Sequence, residues 1–316
     1  MLPKELLTPQ LAKAFLIYGG PGTRKTNGVH TLPPPVLHLD MESGDSSITP
    51  WQRRTRKFNE TDWITISQEQ RVAAFNALSE ENQNYIKSTT KIQPAPLIDT
   101  VYFDSLNPAS WMTFTEFIVN LDKSLYNSLA LDSLQESSLT AQTFVKQQSN
   151  MSVYAPMHVS LWTPAQHRVN LMFHKLKNYK DDGLFIYFTC SETVDKDYVT
   201  DPRSAPSGAA PEQPYSVKGT PNLPGQLIGA IQHVTDVMCH ARSMNGQIQW
   251  ISGPEPFTGG SVAVWEAKDR TGRLKSKFNV PSIKSMIKDI YGESQTAEIY
   301  KYGYELVRSQ SAPEAN

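Results

Sequence analysis

The sequence predicts an α/β fold: a mostly parallel sheet with antiparallel edge strands and helices on both faces. Three observations predict it. Apolar runs of four to seven residues alternate with longer amphipathic segments, which is the pattern of βαβ units. A glycine-rich turn follows the first apolar run directly. The last three apolar runs have no helical pattern between them, as antiparallel neighbours on a mostly parallel sheet would not.

In chain order, the strand candidates are Ala14–Tyr18, Val36–Leu39, Trp63–Ile66, Thr100–Phe103 and Leu184–Phe188. Val234–Met238, Gln247–Ile251 and Val262–Trp265 follow. Helical patterns occupy Gln68–Lys87, Ser110–Leu129, Pro164–Tyr179 and Leu223–His233. Trp111, Phe114 and Phe117 share one face of the second of these and read as core. His167 and His174 share a face of the third and read as helix surface or satisfied core rather than metal ligands. The stretch 132–156, rich in Ser, Gln and Thr, reads as a mobile insertion. Ser191–Pro224 carries six prolines and no periodicity, so it reads as a long functional loop. The chain divides into a core over 1–279 and a C-terminal helical extension over 280–316, with a disordered tail from Ser309.

Composition bounds the function. With 39% hydrophobic and 19% charged residues the chain has material for a core and is not a disordered segment. Thirty Lys and Arg against 31 Asp and Glu give a net charge of −1, which excludes only a uniformly basic nucleic-acid binder. Two cysteines, Cys190 and Cys239, exclude a disulfide scaffold and a CxxC zinc site, and point to a reducing compartment. No apolar stretch approaches the roughly 18 residues of a membrane span. The N-terminus shows no signal-peptide pattern. The expectation is a cytoplasmic protein without a membrane partner.

The sharpest motif is Gly19-Gly20-Pro21-Gly22-Thr23-Arg24-Lys25-Thr26, placed directly after the first strand. Gly19, Lys25 and Thr26 match the GxxxxGK[ST] phosphate loop. In such a loop, backbone N–H groups curl around phosphates and a following helix N-terminus adds partial positive charge. Lys25 would reach the β- and γ-phosphates of ATP, and the Thr26 hydroxyl would hold Mg²⁺. Arg24 stands where the pattern has glycine. A φ above zero there would cost on the order of 1–2 kcal/mol, and a helical backbone almost nothing.

Two acidic strand ends accompany the loop. Asp40-Met41-Glu42 closes the second strand, where ligands of open α/β sheets sit. Glu42 is placed to activate water, with Asp40 behind it. Asp104 ends the strand VYFD and is the candidate for holding Mg²⁺ through water. Thr189, Ser191 and Glu192 end the strand LFIYF and are candidate γ-phosphate sensors, or ordinary strand-end polarity. Arg53, Arg54, Arg56 and Lys57, flanked by Trp51 and Phe58, give +4 in eight residues. They suit single-stranded DNA, or a solvated loop.

The order of these motifs resembles the RecA-like ATPases, and more narrowly the phage-encoded RecA/RadA-type proteins that include the Sak-type single-strand annealing ATPases. The resemblance covers roughly residues 14–274 and includes Ala267-Lys268-Asp269-Arg270-Thr271-Gly272, similar to the KNRFG motif of RadA-type proteins. It implies a RecA-like core, ATP and Mg²⁺ as cofactors, and Glu42 as catalytic base. It implies Lys268 and Arg270 as cations acting on a neighbour's ATP, hence a homo-oligomer. It places a DNA-binding loop at Ser191–Pro224. The implied function is ATP hydrolysis on single-stranded DNA in phage recombination or replication. Arg24 favours an alternative, a non-catalytic nucleotide-dependent assembly protein. A P-loop small-molecule kinase is a second alternative, fitted less well by the motifs after the second strand.

Overall fold

The computed structural model describes residues 13–42, 53–57, 60, 62–64, 67–77, 80, 83–84, 97–198, 214–253 and 262–311. Strand β1 (Ala14–Gly19) lies inside a ten-stranded sheet, parallel to β6 (Phe185–Cys190) on one side and β9 (Val237–Met244) on the other. Beyond β6 the sheet continues, all parallel, through β5 (Ser128–Asp132), β2 (Val36–Asp40), β4 (Ile98–Tyr102) and the edge strand β3 (Arg53–Lys57). Beyond β9 lie the antiparallel strands β10 (Gln247–Ile251) and β13 (Lys277–Phe278), while β12 (Lys268–Asp269) pairs antiparallel with β9 itself. A second sheet of three strands holds β7 (Glu192–Tyr198), β8 (Pro214–Pro221) and β11 (Val262–Trp265).

The helices are α1 (Gln68–Asn76), α2 (Pro108–Val119), α3 (Leu134–Gln148), α4 (Val159–Asp181), α5 (Gln226–Val234), α6 (Ile283–Tyr291) and α7 (Glu293–Ser311). Local chemistry starts several of them. The Asn107 side chain accepts from Ala109 N, with Pro108 in the first turn. Ser133 caps α3 and Ser282 caps α6. Strand side chains alternate between faces, so β1 feeds two cores. Leu16 and Tyr18 pack with Trp111, Phe144, Phe173 and Ile231, from α2, α3, α4 and α5. Phe15 and Ile17 pack with Trp250, Ile287 and Tyr300 on the opposite face, against α6 and α7. The α/β class, the antiparallel edge and helices on both faces are as the sequence predicts.

Several elements differ from the sequence expectation. The pattern Ser110–Leu129 is not one helix: α2 stops at Val119, a 3₁₀ turn covers Lys123–Leu125, and β5 begins at Ser128, fully buried between β2 and β6. The supposed insertion 132–156 is largely α3. Its Ser and Thr hydroxyls are spent on its own backbone, as Ser137 to Leu134 O and Thr140 to Glu136 O show, so polar composition here does not mean a loop. In the supposed strand Trp63–Ile66, Ile64 makes an isolated bridge to Thr55, and the basic segment Arg53–Lys57 is the strand. Ser191–Pro224 contains β7 and β8, with 199–213 outside the described residues. Val262–Trp265 joins the second sheet rather than the main one. The C-terminal helix runs to Ser311, past the expected start of a disordered tail; 312–316 lie outside the described residues. Among the described residues no helix is long and apolar enough to cross a membrane.

Candidate nucleotide site

The loop Gly19–Thr26 leaves the carboxyl end of β1. Gly19 is required there: a Cβ would stand 2.0 Å from Ala241 O on β9. Gly22 has φ 72° and Arg24 has φ 60°, so the arginine occupies the left-handed region and carries its cost of about 1–2 kcal/mol. The loop closes on itself. Lys25 Nζ donates to Gly19 O at 2.8 Å and Gly20 O at 2.7 Å, and Thr23 Oγ1 donates to Gly20 O at 2.7 Å. From below, Tyr187 Oη donates to Lys25 O at 2.6 Å and Trp250 Nε1 to Thr23 O at 3.2 Å. Two aromatic side chains of the sheet thus fix the loop backbone from its buried side.

The α-helix that the motif leads one to expect after the loop is absent. Thr26–Thr31 is a short 3₁₀ turn, followed by Leu32 and the prolines Pro33, Pro34 and Pro35. Proline cannot donate a helical hydrogen bond and excludes the preceding residue from helix, which limits this segment. A phosphate held at this loop would therefore depend on loop N–H groups and Lys25, with little from a helix dipole.

Three strand ends meet the loop from one side. Asp132, fully buried at the end of β5, accepts a hydrogen bond from the hydroxyl of Thr189 on β6, and the Thr26 hydroxyl in the loop lies near enough to favour its charged form. His38 Nε2 on β2 stands 3.7 Å from its other oxygen. Burial opposes ionisation of Asp132, but His38, Thr189 and Thr26 outweigh it and hold the carboxyl below its ordinary range. Met41 N donates to Asp132 O at 2.7 Å, which carries the chain after β2 alongside β5. Glu42 follows, its N–H bonded to Asp40 Oδ1 at 2.9 Å and its carboxylate accepting from Ser133 Oγ. Burial pushes the Glu42 carboxyl upward, against the pull of the Ser133 hydroxyl; Asp132 and Glu136 add to the rise. Burial also lowers Lys25, while Glu42, Asp132, Cys190 and Glu192 favour its charged form.

The three sensor candidates all lie here. Thr189 binds Asp132, and Ser191 Oγ donates to Gln135. Glu192 Oε2 pairs with His240 Nε2 at 2.8 Å, while Glu192 Oε1 lies 3.3 Å from where a Cβ on Gly20 would stand. His240 is buried on β9 with its ring centroid 5.4 Å from that of Tyr18. Sequence reasoning missed Asp132, Ser133, His38 and His240. The one available signal was Leu129-Ala130-Leu131-Asp132, an apolar run ending in an acid, absorbed into the supposed helix and insertion.

The structure does not bring the other candidates to the loop. Asp104 follows β4, four strand steps or about 19 Å from β1, whereas β5 is two steps or about 10 Å away. The Asp104 side chain is exposed and accepts from Leu106 N at 2.9 Å, closing its own turn. It is Asp132, not Asp104, that lies near Thr26 and Lys25. Lys268 and Arg270 lie at the amino end of β9, the sheet end opposite the loop. Lys268 Nζ donates to Gln232 O and Thr235 O, and Arg270 to Gln232 O and His233 O, so both fasten the carboxyl end of α5 within their own chain. Burial, with Arg270 beside it, lowers Lys268 to about 8.

The basic cluster is an edge strand on the far side of the sheet. Arg54 makes a two-pronged bond to Asp99, at 2.6 and 2.9 Å, and Arg53 donates to Tyr102 Oη at 3.1 Å. Arg56 donates to Glu60 O and lies over the Trp63 and Phe117 rings, 4.9 and 5.5 Å from their centroids. Lys57 pairs with Glu60 at 3.9 Å. Trp51 and Phe58 lie outside the described residues.

The donor set fits a hard cation shared with phosphate. It offers one buried carboxylate, Asp132, whose Oδ2 has no hydrogen-bond partner among the described residues, and the nearby Thr26 hydroxyl, donor types that hold Mg²⁺ beside phosphates. Among the described residues no group of three or more His, Cys, Asp or Glu could form a self-sufficient metal centre.

No family model matches the chain, and no curated protein matches it. Among solved structures it matches the flagellar accessory protein FlaH from Methanocaldococcus jannaschii, at 9% identity over 78% of this chain and 80% of that one, with a TM-score of 0.28. The site assignments rest on the chain's own strand order and side-chain contacts.

Proposed function

We propose that the chain is a RecA-like P-loop protein that binds ATP with Mg²⁺ at Gly19–Thr26 and hydrolyses it, acting with single-stranded DNA as a homo-oligomer. One observation carries the ATP part: Asp132 is buried beside the loop, held by Thr189 and near Lys25 and Thr26, while Ser133, the next residue, holds Glu42 beside it. An acid–hydroxyl pair for the cation and a second acid for water are the two groups that phosphoryl transfer to water needs. The motif order supplies DNA and the oligomer.

In this reading Lys25 leaves the carbonyls of Gly19 and Gly20 and turns to the phosphates. Thr26 and Asp132 would hold Mg²⁺, which when bound neutralises charge on the β- and γ-phosphate oxygens. Glu42 takes a proton from water as the water oxygen bonds to the γ-phosphorus and the bond to the ADP oxygen breaks. A carboxyl raised by burial is a stronger base than an ordinary one, which suits that role. Glu42→Gln should retain ATP binding and lower turnover by about 10²-fold or more. Phosphate release measured with and without single-stranded DNA checks this. Turnover unchanged by Glu42→Gln would remove Glu42 from the chemistry.

A second reading has its own support. Arg24 sits at φ 60° and Lys25 is folded onto the loop carbonyls, so the loop is closed at some conformational cost. A protein that binds ATP to assemble, without hydrolysing it, is consistent with both. Tight ATP binding with no phosphate release under any condition selects it.

A further inference from the structure

The C-terminal helices α6 and α7 belong to neither the strand ends nor the loop, yet they enclose an open groove of about 780 Å³. Lys284 and Lys288 line it from α6, four residues and therefore about 6 Å apart along the helix. Lys301 and Arg308 line it from α7, seven residues or about 10 Å apart. Tyr304 lies between them on the same wall. Two acids share the groove: Glu293, 2.9 Å from Lys288, and Glu305, 4.0 Å from Lys301. Those pairs are exposed, with Lys288 at 52% and Lys301 at 76%, and exposed pairs are weak and readily exchanged for another anion. The groove is anchored to the segment after the phosphate loop. Ile283 N donates to Thr31 Oγ1 at 2.9 Å, and Tyr300 Oη donates to Thr31 O.

We propose that this groove between α6 and α7 is a docking site for single-stranded DNA. Cations on both walls match a phosphodiester backbone, and a partly exposed tyrosine among them offers a face on which a base can stack. Among the basic residues of β3 that suggested DNA from the sequence, Arg54 is held by the largely buried Asp99 and Arg56 lies over Trp63 and Phe117. The groove's lysines instead have exposed acids or, for Lys284, the Tyr300 ring at 5.1 Å as partners, and they line an open channel. An acidic peptide would satisfy the cations but leave the aromatic face without a counterpart. The proposal rests on the DNA part of the function above and not on ATP hydrolysis, so it is tested without nucleotide.

The test is fluorescence anisotropy of a labelled oligo-dT with the full chain, titrated across salt. Lys284→Gln, Lys301→Gln and Arg308→Gln together should weaken binding at least tenfold. They should also flatten the slope of log affinity against log salt by about 2, at roughly 0.7 per lost phosphate contact. Tyr304→Ala should cost about tenfold at one salt with the slope unchanged. If the triple variant fails to fold, Lys301→Gln with Arg308→Gln, both exposed, should still flatten the slope by about 1.4. Unchanged binding by the folded variants overturns the site, as does absence of binding by the natural chain at low salt. Displacement of the DNA by polyglutamate as effectively as by unlabelled oligo-dT overturns the choice of ligand. None of these outcomes depends on phosphate release, so failure here and failure of the ATPase reading are separable.

Discussion

Arg24 stands in the left-handed region at φ 60°, where a Cβ crowds the neighbouring backbone. Glycine at this position loses that crowding, so Arg24→Gly should stabilise the chain by about 1 kcal/mol in thermal or urea unfolding. Lower stability would mean that the arginine side chain contributes more than its backbone costs. Glu42 makes a second residue-level prediction, in pH. Its carboxyl is raised above its ordinary value of 4.5, chiefly by burial. On the proposed role of Glu42 as base the carboxyl must be ionised, so turnover should be lost as pH falls through that raised value rather than through 4.5. The Ser133 hydroxyl pulls in the other direction, so Ser133→Ala should move the acid limb of the pH–rate profile further up. Stability follows the opposite sense. A carboxyl raised in the folded state favours folding most at low pH, and that contribution is lost as pH rises through the raised value. A limb that stays put in Ser133→Ala would show that another group controls it.

At the scale of elements, legibility followed burial. The strands β1, β2, β4 and β6 are apolar runs because both their faces are covered, and the sequence shows them within one or two residues. β5 is equally buried, but Ser128 and Asp132 interrupt its run at both ends and the preceding helix hides its start. β3 is the reverse case. At the sheet edge a strand keeps polar side chains, so Arg53–Lys57 carries no apolar signal and reads as a basic loop. Its cations instead tie the edge to β4. Arg54 is 39% exposed and Asp99 11%, and Tyr126 Oη also donates to Asp99 at 2.8 Å. Removing the arginine would leave a mostly buried carboxylate with one neutral donor. Arg54→Ala should therefore cost on the order of 2 kcal/mol, less than a fully buried pair because one partner meets solvent. Urea unfolding measures this. A loss of DNA affinity without a loss of stability would return the cluster to the nucleic-acid role.

At the scale of the whole molecule, the chain presents its strands in one order and the sheet arranges them in another. Along the sequence Asp104 is the first acid-ended strand after Glu42, and the motif order alone makes it the cation's partner. In space, β5 and β6 insert between β2 and β1, so the acid that comes later in the chain is the nearer one. The gathering of the loop, Glu42, Thr189, Ser191 and Glu192 in one place was legible because each is local to a strand end. The identity of the second acid was not, because it depends on which strands become neighbours. This gives a paired prediction. Asp132→Asn removes the charge from the carboxyl that Thr189 binds and that lies near Thr26 and Lys25, at a buried point beside the loop. It should lower turnover by about 10²-fold or more and weaken the Mg²⁺ dependence of ATP binding. Asp104→Asn, at an exposed turn about 19 Å along the sheet, keeps an oxygen to accept from Leu106 N and should leave both quantities within about twofold of the natural chain. The two variants carry the same chemical change at two strand ends, so the comparison isolates position. Equal losses in both would place Asp104 at the chemistry and overturn the strand-order argument.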